Sequence, residues 1–257
     1  MTNDYEDFKV KVHKLTGLDL SGYKERQMKR RIDSLIKRHG HDTYDTFVIE
    51  LVKNKDLLDE FMIYLTINVS EFYRNPGQWE IIEKEIIPEL LKKSNRLKIW
   101  SAACSTGEEP YSLVMLMSRF MDLSQVKIYA SDFDEGAIAK AKRGIYSPKS
   151  LMNLPKDFAD NYFVKSGENY EISEKIKSRV EFKKQNLLAD KYTDSYDLIV
   201  CRNVMIYFTE EAKSKMYTKF REALSPHGIL FVGSTEQIIM PNRFKLEPLK
   251  TFFYKRG

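Results

Sequence analysis

Apolar residues recur at three- and four-residue intervals through the first third of the chain, which predicts helices over residues 5–15, 23–39, 43–52 and 55–65. Gly17, Gly22, Gly40 and Asn54 mark the breaks between them, and no strand pattern intrudes. The segment TINVSEFYRN at 66–75 runs into an Asn75-Pro76-Gly77 turn and a further helix to about residue 93. Near residue 97 the pattern changes. Short apolar runs at 97–102, 127–131, 180–183, 196–201 and 228–233 alternate with helical stretches, the signature of a parallel sheet covered by helices. Residues 244–255 read as a terminal strand pair. Residues 145–178 break the alternation with a helix-like SLMNLPKDFADNYF and a hairpin turn within VKSGENYEIS, and are expected to be an insertion. The fold class is therefore α/β. An all-helical N-terminal domain over residues 1–78 is expected to join a sheet domain over 79–257, with the boundary at Trp79.

The chemistry begins where the first strand ends. LKIWSAACSTGEEPYS at 97–112 is a strand, a tight turn and a helix, with Ser105 and Thr106 as expected caps ahead of Glu108, Glu109 and Pro110. Such a turn lies at the carboxyl end of a strand, where α/β sheets bind ligands. A pyrophosphate-binding turn needs several glycines and bare amides, whereas this one has Gly107 and two carboxylates that repel phosphate. A cationic ligand with ribose hydroxyls suits it better, and S-adenosylmethionine (SAM), a sulfonium without phosphate, has those properties. Alternatively, the two glutamates only favour the positive end of a helix, for a fraction of a kcal/mol each.

Three more strand ends carry polar residues. Asp132 closes the second strand in YASDFD, where a carboxylate can accept from ribose hydroxyls. Asn186 and Leu187 follow the third, offering an amide and an apolar contact to a base, and Arg202 and Asn203 end the fourth. Singly, Asp132 reads as a helix cap and the asparagines as turn residues. Polar residues at the ends of four parallel strands together are not explained by capping alone.

Composition narrows the alternatives. The chain has 257 residues, 42% of them hydrophobic and 31% charged, which is ordinary for a globular protein with a substantial core. No apolar run approaches membrane-spanning length and the first residues lack an apolar signal region, so a cytoplasmic protein without membrane insertion is expected. Cys104 and Cys201 are too far apart in sequence to suggest a metal knuckle, and His13, His39, His41 and His227 form no motif beyond an HxH, so no metal is expected. The net charge of +5 is modest but concentrated. In YKERQMKRRIDSLIKRH at 23–39, Met28, Ile32 and Leu35 share one helical face while Arg26, Arg30 and Lys37 line the opposite one. Charge runs are commonly solvated faces; a local basic stripe of this kind also suits a defined acidic partner better than bulk nucleic acid.

Together these segments resemble the chemotaxis receptor methyltransferases of the CheR type, over nearly the whole chain. The resemblance is carried by TINVSEFYRN, KIWSAACSTGEEPYS, YASDFD, NLLAD at 186–190, DLIVCRNVMIYF at 197–208 and GILFVGSTE at 228–236. It implies a helical N-terminal domain joined to a Rossmann-like SAM-dependent methyltransferase domain with a small β insertion. It also implies transfer of the methyl group of SAM to glutamate side chains in the cytoplasmic helical domain of transmembrane chemoreceptors, leaving S-adenosylhomocysteine (SAH). Carried onto matching positions, the implied cofactor contacts are Asn68, Ser70, Arg74, a glutamate of the Glu108/Glu109 pair, Asp132, Asn186, Leu187, Arg202 and Asn203. Ser70 stands where the family commonly has threonine, which keeps the hydroxyl. Arg74 and Tyr207 are the candidate catalytic residues, Arg74 because its planar fork suits a carboxylate. The basic helix matches the family's receptor contact, which gives Arg26, Lys29, Arg30 and Lys37 a docking role. The insertion loop KSGENYE lacks the Gly-x-Gly of members that hold a receptor's C-terminal pentapeptide, so docking independent of it is expected. Two rivals stay open: a nucleic-acid methyltransferase, disfavoured because Asn203-Val204-Met205 stands where a flipped-base motif is needed, and a non-enzymatic SAM sensor.

Overall fold

The computed structural model describes residues 2–193 and 195–257. Four helices open the chain: α1 (Thr2–Thr16), α2 (Glu25–Arg38), α3 (Tyr44–Lys53) and α4 (Lys55–Thr66). Thr43 and Asn54 cap α3 and α4 with their side chains, accepting from Thr46 N and Leu57 N, so each break also starts the next helix. Their apolar stripes meet around Phe8, Met28, Ile32, Leu35, Phe47, Phe61 and Leu65, all buried.

The chain then crosses to the sheet. Ile67, Tyr73 and Asn75 all hold positive φ, and a β-branched residue such as Ile67 does so only where its surroundings force it. Phe72, Tyr73 and Trp79 are buried among the sheet's own core residues. The join expected at Trp79 therefore lies earlier by packing, at Ile67. The helix after it comprises α5 (Pro76–Ile81), one wider turn over Ile82–Ile86 and α6 (Ile87–Leu91). Pro88 has no N–H to give the preceding turn, and the wider turn absorbs that loss.

The sheet is built from β1 (Ile99–Ala102), β2 (Ile128–Asp132), β6 (Val180–Lys184), β7 (Tyr196–Cys201), β8 (Leu224–Val232), β9 (Leu246–Lys250) and β10 (Phe253–Arg256). Its order is β6-β2-β1-β7-β8-β10-β9, parallel as far as β8, with β10 and β9 antiparallel at the far edge. Helices α7 (Glu108–Met117), α8 (Glu135–Arg143) and α11 (Glu210–Ala223) connect its strands. Strand order reverses between β1 and β7, which places a ligand crevice at their carboxyl ends. Alternation along the strands feeds two cores. Ile99, Leu198 and Val200 enter one layer, and Trp100, Ile199 and Cys201 the other. The insertion holds β3 (Ile145–Tyr146), α9 (Lys156–Tyr162), β4 (Phe163–Ser166), β5 (Asn169–Ile172) and α10 (Glu174–Lys177), its strands forming a separate sheet in the order β3-β5-β4.

One seam stitches the helical domain to the sheet. Tyr23 bridges Phe208, Lys24 N donates to the Tyr207 carbonyl (2.8 Å) and Thr209 N to that of Gly22 (2.9 Å). No described helix is long and apolar enough to cross a membrane.

Candidate functional site

The β1–α7 turn turns sharply without side-chain capping. Ala103, Ser105 and Gly107 all have positive φ, and Gly107 is the N-cap of α7. A Cβ at Gly107 would meet Ala141 Cβ at 2.8 Å and Tyr111 at 3.0 Å, so neither its dihedral nor its surroundings admit another residue. Ser105 and Thr106 therefore do not cap the helix. Ser105 N donates to Asp132 Oδ2 (2.7 Å) and its hydroxyl to Asn68 Oδ1 (3.1 Å), while Thr106 Oγ1 donates to Glu108 Oε2 (2.7 Å). The two glutamates, one residue apart on a helix, point to different places. Glu109 lines the main cleft, where Ser101 Oγ (2.8 Å) and Arg202 Nη1 (3.4 Å) reach its carboxylate. Glu108 faces an adjoining shallower cavity with Ser70, Thr106 and Arg74.

The cleft spans about 990 Å³ including its open mouth and gathers Asn68, Ser70, Arg74, Glu109, Asp132, Asn186, Leu187, Arg202, Asn203 and Tyr207. Every candidate cofactor residue except Glu108 borders it, as does the candidate catalytic tyrosine. Asp132 is not a helix cap; Asp134 caps α8, accepting from Ala137 N. Each Asp132 oxygen takes one backbone N–H, from Ser105 and from Asp134 (3.0 Å), and keeps lone-pair capacity for a further donor. Burial raises its pKa, opposed by the backbone N–H groups of Asp134, Ser105 and Phe133. Asn186 closes an Asx turn onto Leu188 N (3.0 Å) while bordering the cleft, so its turn role and its position coexist. Asn68 is held on three sides, donating to Thr66 Oγ1 (3.0 Å) and Asp134 Oδ2 (2.6 Å) and accepting from Ser105.

The lining fits the sulfonium donor expected from sequence. Among the described residues it contains three carboxylates, Glu71, Glu109 and Asp132, against two arginines, and no lysine or histidine. One of those arginines, Arg202, is itself paired with Glu109. A polyphosphate would meet repulsion here, whereas a cation with a ribose diol finds anionic and acceptor groups. Leu187, Leu188, Phe133 and Val204 supply apolar surface for a base. No described group of His, Cys, Asp and Glu side chains could hold a metal ion.

One residue lining the cleft and one behind it lay outside the sequence expectations. Tyr23, read as the start of the basic helix, precedes α2 and lines the cleft, its ring edge-on to Phe208 at 4.9 Å. Burial, then the charge of Asp132, pushes its hydroxyl well above the usual tyrosine range. Glu236, inside GILFVGSTE but not singled out, accepts four backbone N–H bonds from Asn203 (2.6 Å), Met205 (2.6 Å), Ile206 (3.2 Å) and Gly233 (2.9 Å). It thereby fixes the turn that carries Asn203 and Tyr207. Gly233 leaves the space for this, because a Cβ there would strike the Glu236 carboxylate and come within 2.9 Å of Asn203 N.

The basic stripe is narrower than expected. Arg26, Arg30 and Lys37 are exposed on α2, but Lys29 is committed within the domain to Asp33 (3.0 Å) and Tyr44 (2.6 Å), with its ammonium over the Tyr5 and Tyr44 rings.

Comparison with known families matches residues 3–66 to "CheR methyltransferase, all-alpha domain" and residues 68–253 to "CheR methyltransferase, SAM binding domain". The two matches meet where packing changes partners. The chain is 43% identical over 255 residues to a chemotaxis protein methyltransferase of Listeria monocytogenes, covering 99% of this chain and 97% of that one. It is 32% identical to one from Borreliella burgdorferi, covering 89% of each, and 32% identical to chemotaxis protein methyltransferase 1 of Pseudomonas aeruginosa, covering 95% and 93%.

Proposed function

The chain belongs to the CheR methyltransferase family, and from that premise we propose that it transfers the methyl group of SAM to glutamate carboxylates of chemoreceptors in chemotaxis adaptation, acting in the cytoplasm. One observation carries the reading furthest. A phosphate-averse cleft at the reversal of strand order is lined both by Asp132, with spare acceptor capacity, and by Arg74, which has no ion pair among the described residues.

We assign Asp132 to the ribose hydroxyls, Leu187 and Asn186 to the base, Asn68, Ser70, Glu109 and Asn203 to the rest of the cofactor's surround, and Arg74 to a carboxylate. SAM, when bound, supplies a methyl group made electrophilic by the sulfonium. A glutamate carboxylate, pKa about 4.3, is already ionised at neutral pH and needs no general base. The chain's task is placement. Arg74 donates Nη1 to the Val69 carbonyl (3.2 Å), which leaves the other edge of its fork to align a carboxylate oxygen. Tyr207 borders the same space, its backbone fixed by Lys24 N. Seating the reacting groups within this cleft limits their contact with water where attacking anion and sulfonium cancel in charge.

Arg74→Ala is expected to lower methyl transfer by about 100-fold or more, the scale of losing an aligned donor, with SAM binding weakened far less. The assay uses labelled SAM with membranes containing chemoreceptors, where base-labile label on a receptor band identifies carboxyl esters. Wild-type turnover would remove Arg74 from the site.

Exposed Arg26, Arg30 and Lys37 on α2 support a receptor-docking role for the helical domain. Reversing Arg26 and Arg30 to glutamate is expected to raise KM for receptor membranes about tenfold, with SAH affinity by calorimetry unchanged. Equal loss of both would count against docking. The hairpin between β4 and β5 turns at a single glycine, Gly167, which supports docking that does not depend on a receptor's C-terminal pentapeptide.

A further inference from the structure

We propose that the Arg202 guanidinium is a positioning group that sets the location of Arg74. The inference rests on the assignment of Arg74 to the reacting carboxylate. Arg202 follows β7 at the crevice, with only 2% of its side chain exposed. One of its nitrogens, Nη2, reaches three acceptors on the segment that carries Arg74: the Arg74 carbonyl (2.8 Å), Asn75 Oδ1 (2.9 Å) and Gln78 Oε1 (2.9 Å). The other, Nη1, faces Glu109 Oε2 at 3.4 Å, and Glu109 is itself tied to Ser101 in β1. A single planar group thus fastens the crossing segment to the two central strands.

Asn75 shows what this fastening displaces. It is the N-cap of α5, a position where an asparagine side chain ordinarily accepts from the first turn, for about 1 kcal/mol. Here the side chain makes no capping bond and turns to Arg202 instead, from a backbone at φ 62°. Arg74 and Asn75 are adjacent, so where the guanidinium holds Asn75 and the Arg74 carbonyl, it fixes the start of the Arg74 side chain. Lysine cannot substitute: its single ammonium cannot span Glu109 and the three acceptors in a plane.

Two variants test this with the full chain. Arg202→Lys keeps the charge beside Glu109 but loses the fork. Asn75→Ala with Gln78→Ala removes two of the three acceptors of Nη2 from the surface side and leaves Arg202 paired with Glu109 and the Arg74 carbonyl. Both are expected to lower kcat by about 10- to 100-fold, the cost of an ångström-scale misplacement, with the Kd for SAH within about threefold of wild type. Combined with Arg74→Ala, neither should slow the reaction beyond Arg74→Ala alone, because a residue acting through Arg74 has nothing left to position. Losses that multiply in the combined variants, a wild-type kcat in Asn75→Ala/Gln78→Ala, or a fall in SAH affinity matching the fall in rate would overturn the proposal while leaving Arg74's assignment in place. Wild-type turnover in Arg74→Ala would instead sink that assignment, and the proposal with it.

Discussion

Asp132→Asn is expected to weaken SAH binding by about 100-fold. A hydrogen bond to a charged group contributes roughly 1.5–3 kcal/mol, and the spare acceptor sites on this carboxylate are assigned to two ribose hydroxyls. Replacing the carboxylate removes charge from both bonds and one acceptor outright. The net loss is on the order of 3 kcal/mol, which is about two powers of ten in Kd. Isothermal titration with SAH measures it. The amide must also meet the Ser105 and Asp134 N–H groups with one oxygen and one NH2, so a modest fall in Tm should accompany the loss. Affinity within threefold of wild type would show that the ribose is not held at the tip of β2. Because Asp132 belongs to the strand rather than to the crossing segment, this loss should add to that of Arg74→Ala in kcat/KM.

The parts of this architecture legible in the sequence are those set by local pattern. Strands as short as Ile99–Ala102 were readable because burial on both faces writes a continuous apolar run between turn residues, and the polar residues at their carboxyl ends followed from strand order in α/β sheets. Contacts between distant segments were not legible. Lys29 looked like one more cation on a basic stripe, but Tyr44 holds it from the next helix, fifteen positions on. Glu108 and Glu109 are neighbours of identical chemistry, and only the path of α7 turns one to the cleft and the other to Thr106. Tyr23 was counted with the basic helix because its importance lies in a bridge to Phe208, nearly two hundred residues away. Arg202 was legible as a site residue, yet its partners on the 74–78 segment follow from a chain crossing that no spacing encodes.

Glu236 is the most consequential of these long-range contacts, and Glu236→Gln should be the most destabilising conservative change in the cleft's framework. Glu236 is 5% exposed, and its carboxylate offers its lone pairs to four backbone donors, three of them across the gap between the loops that follow β7 and β8. Burial raises its pKa, and the four N–H groups pull it back down. Glutamine has the same shape but turns an NH2 toward donors that have no other acceptor. Met205 N and Ile206 N share Oε1, while Asn203 N and Gly233 N share Oε2, so either amide orientation strands two donors. At roughly 1–3 kcal/mol for each unsatisfied buried group, the cost is about 2–6 kcal/mol. For a protein of this size, that corresponds to a fall in Tm of about 5–20 °C. The turn bearing Asn203 and Tyr207 should loosen before the sheet does, so methyl transfer is expected to fall at temperatures where the far-ultraviolet circular dichroism is still native. Differential scanning calorimetry and the labelled-methyl assay across the same temperature range measure both effects. A Tm within 2 °C of wild type would mean that the four donors find other acceptors and that Glu236 does not hold the turn.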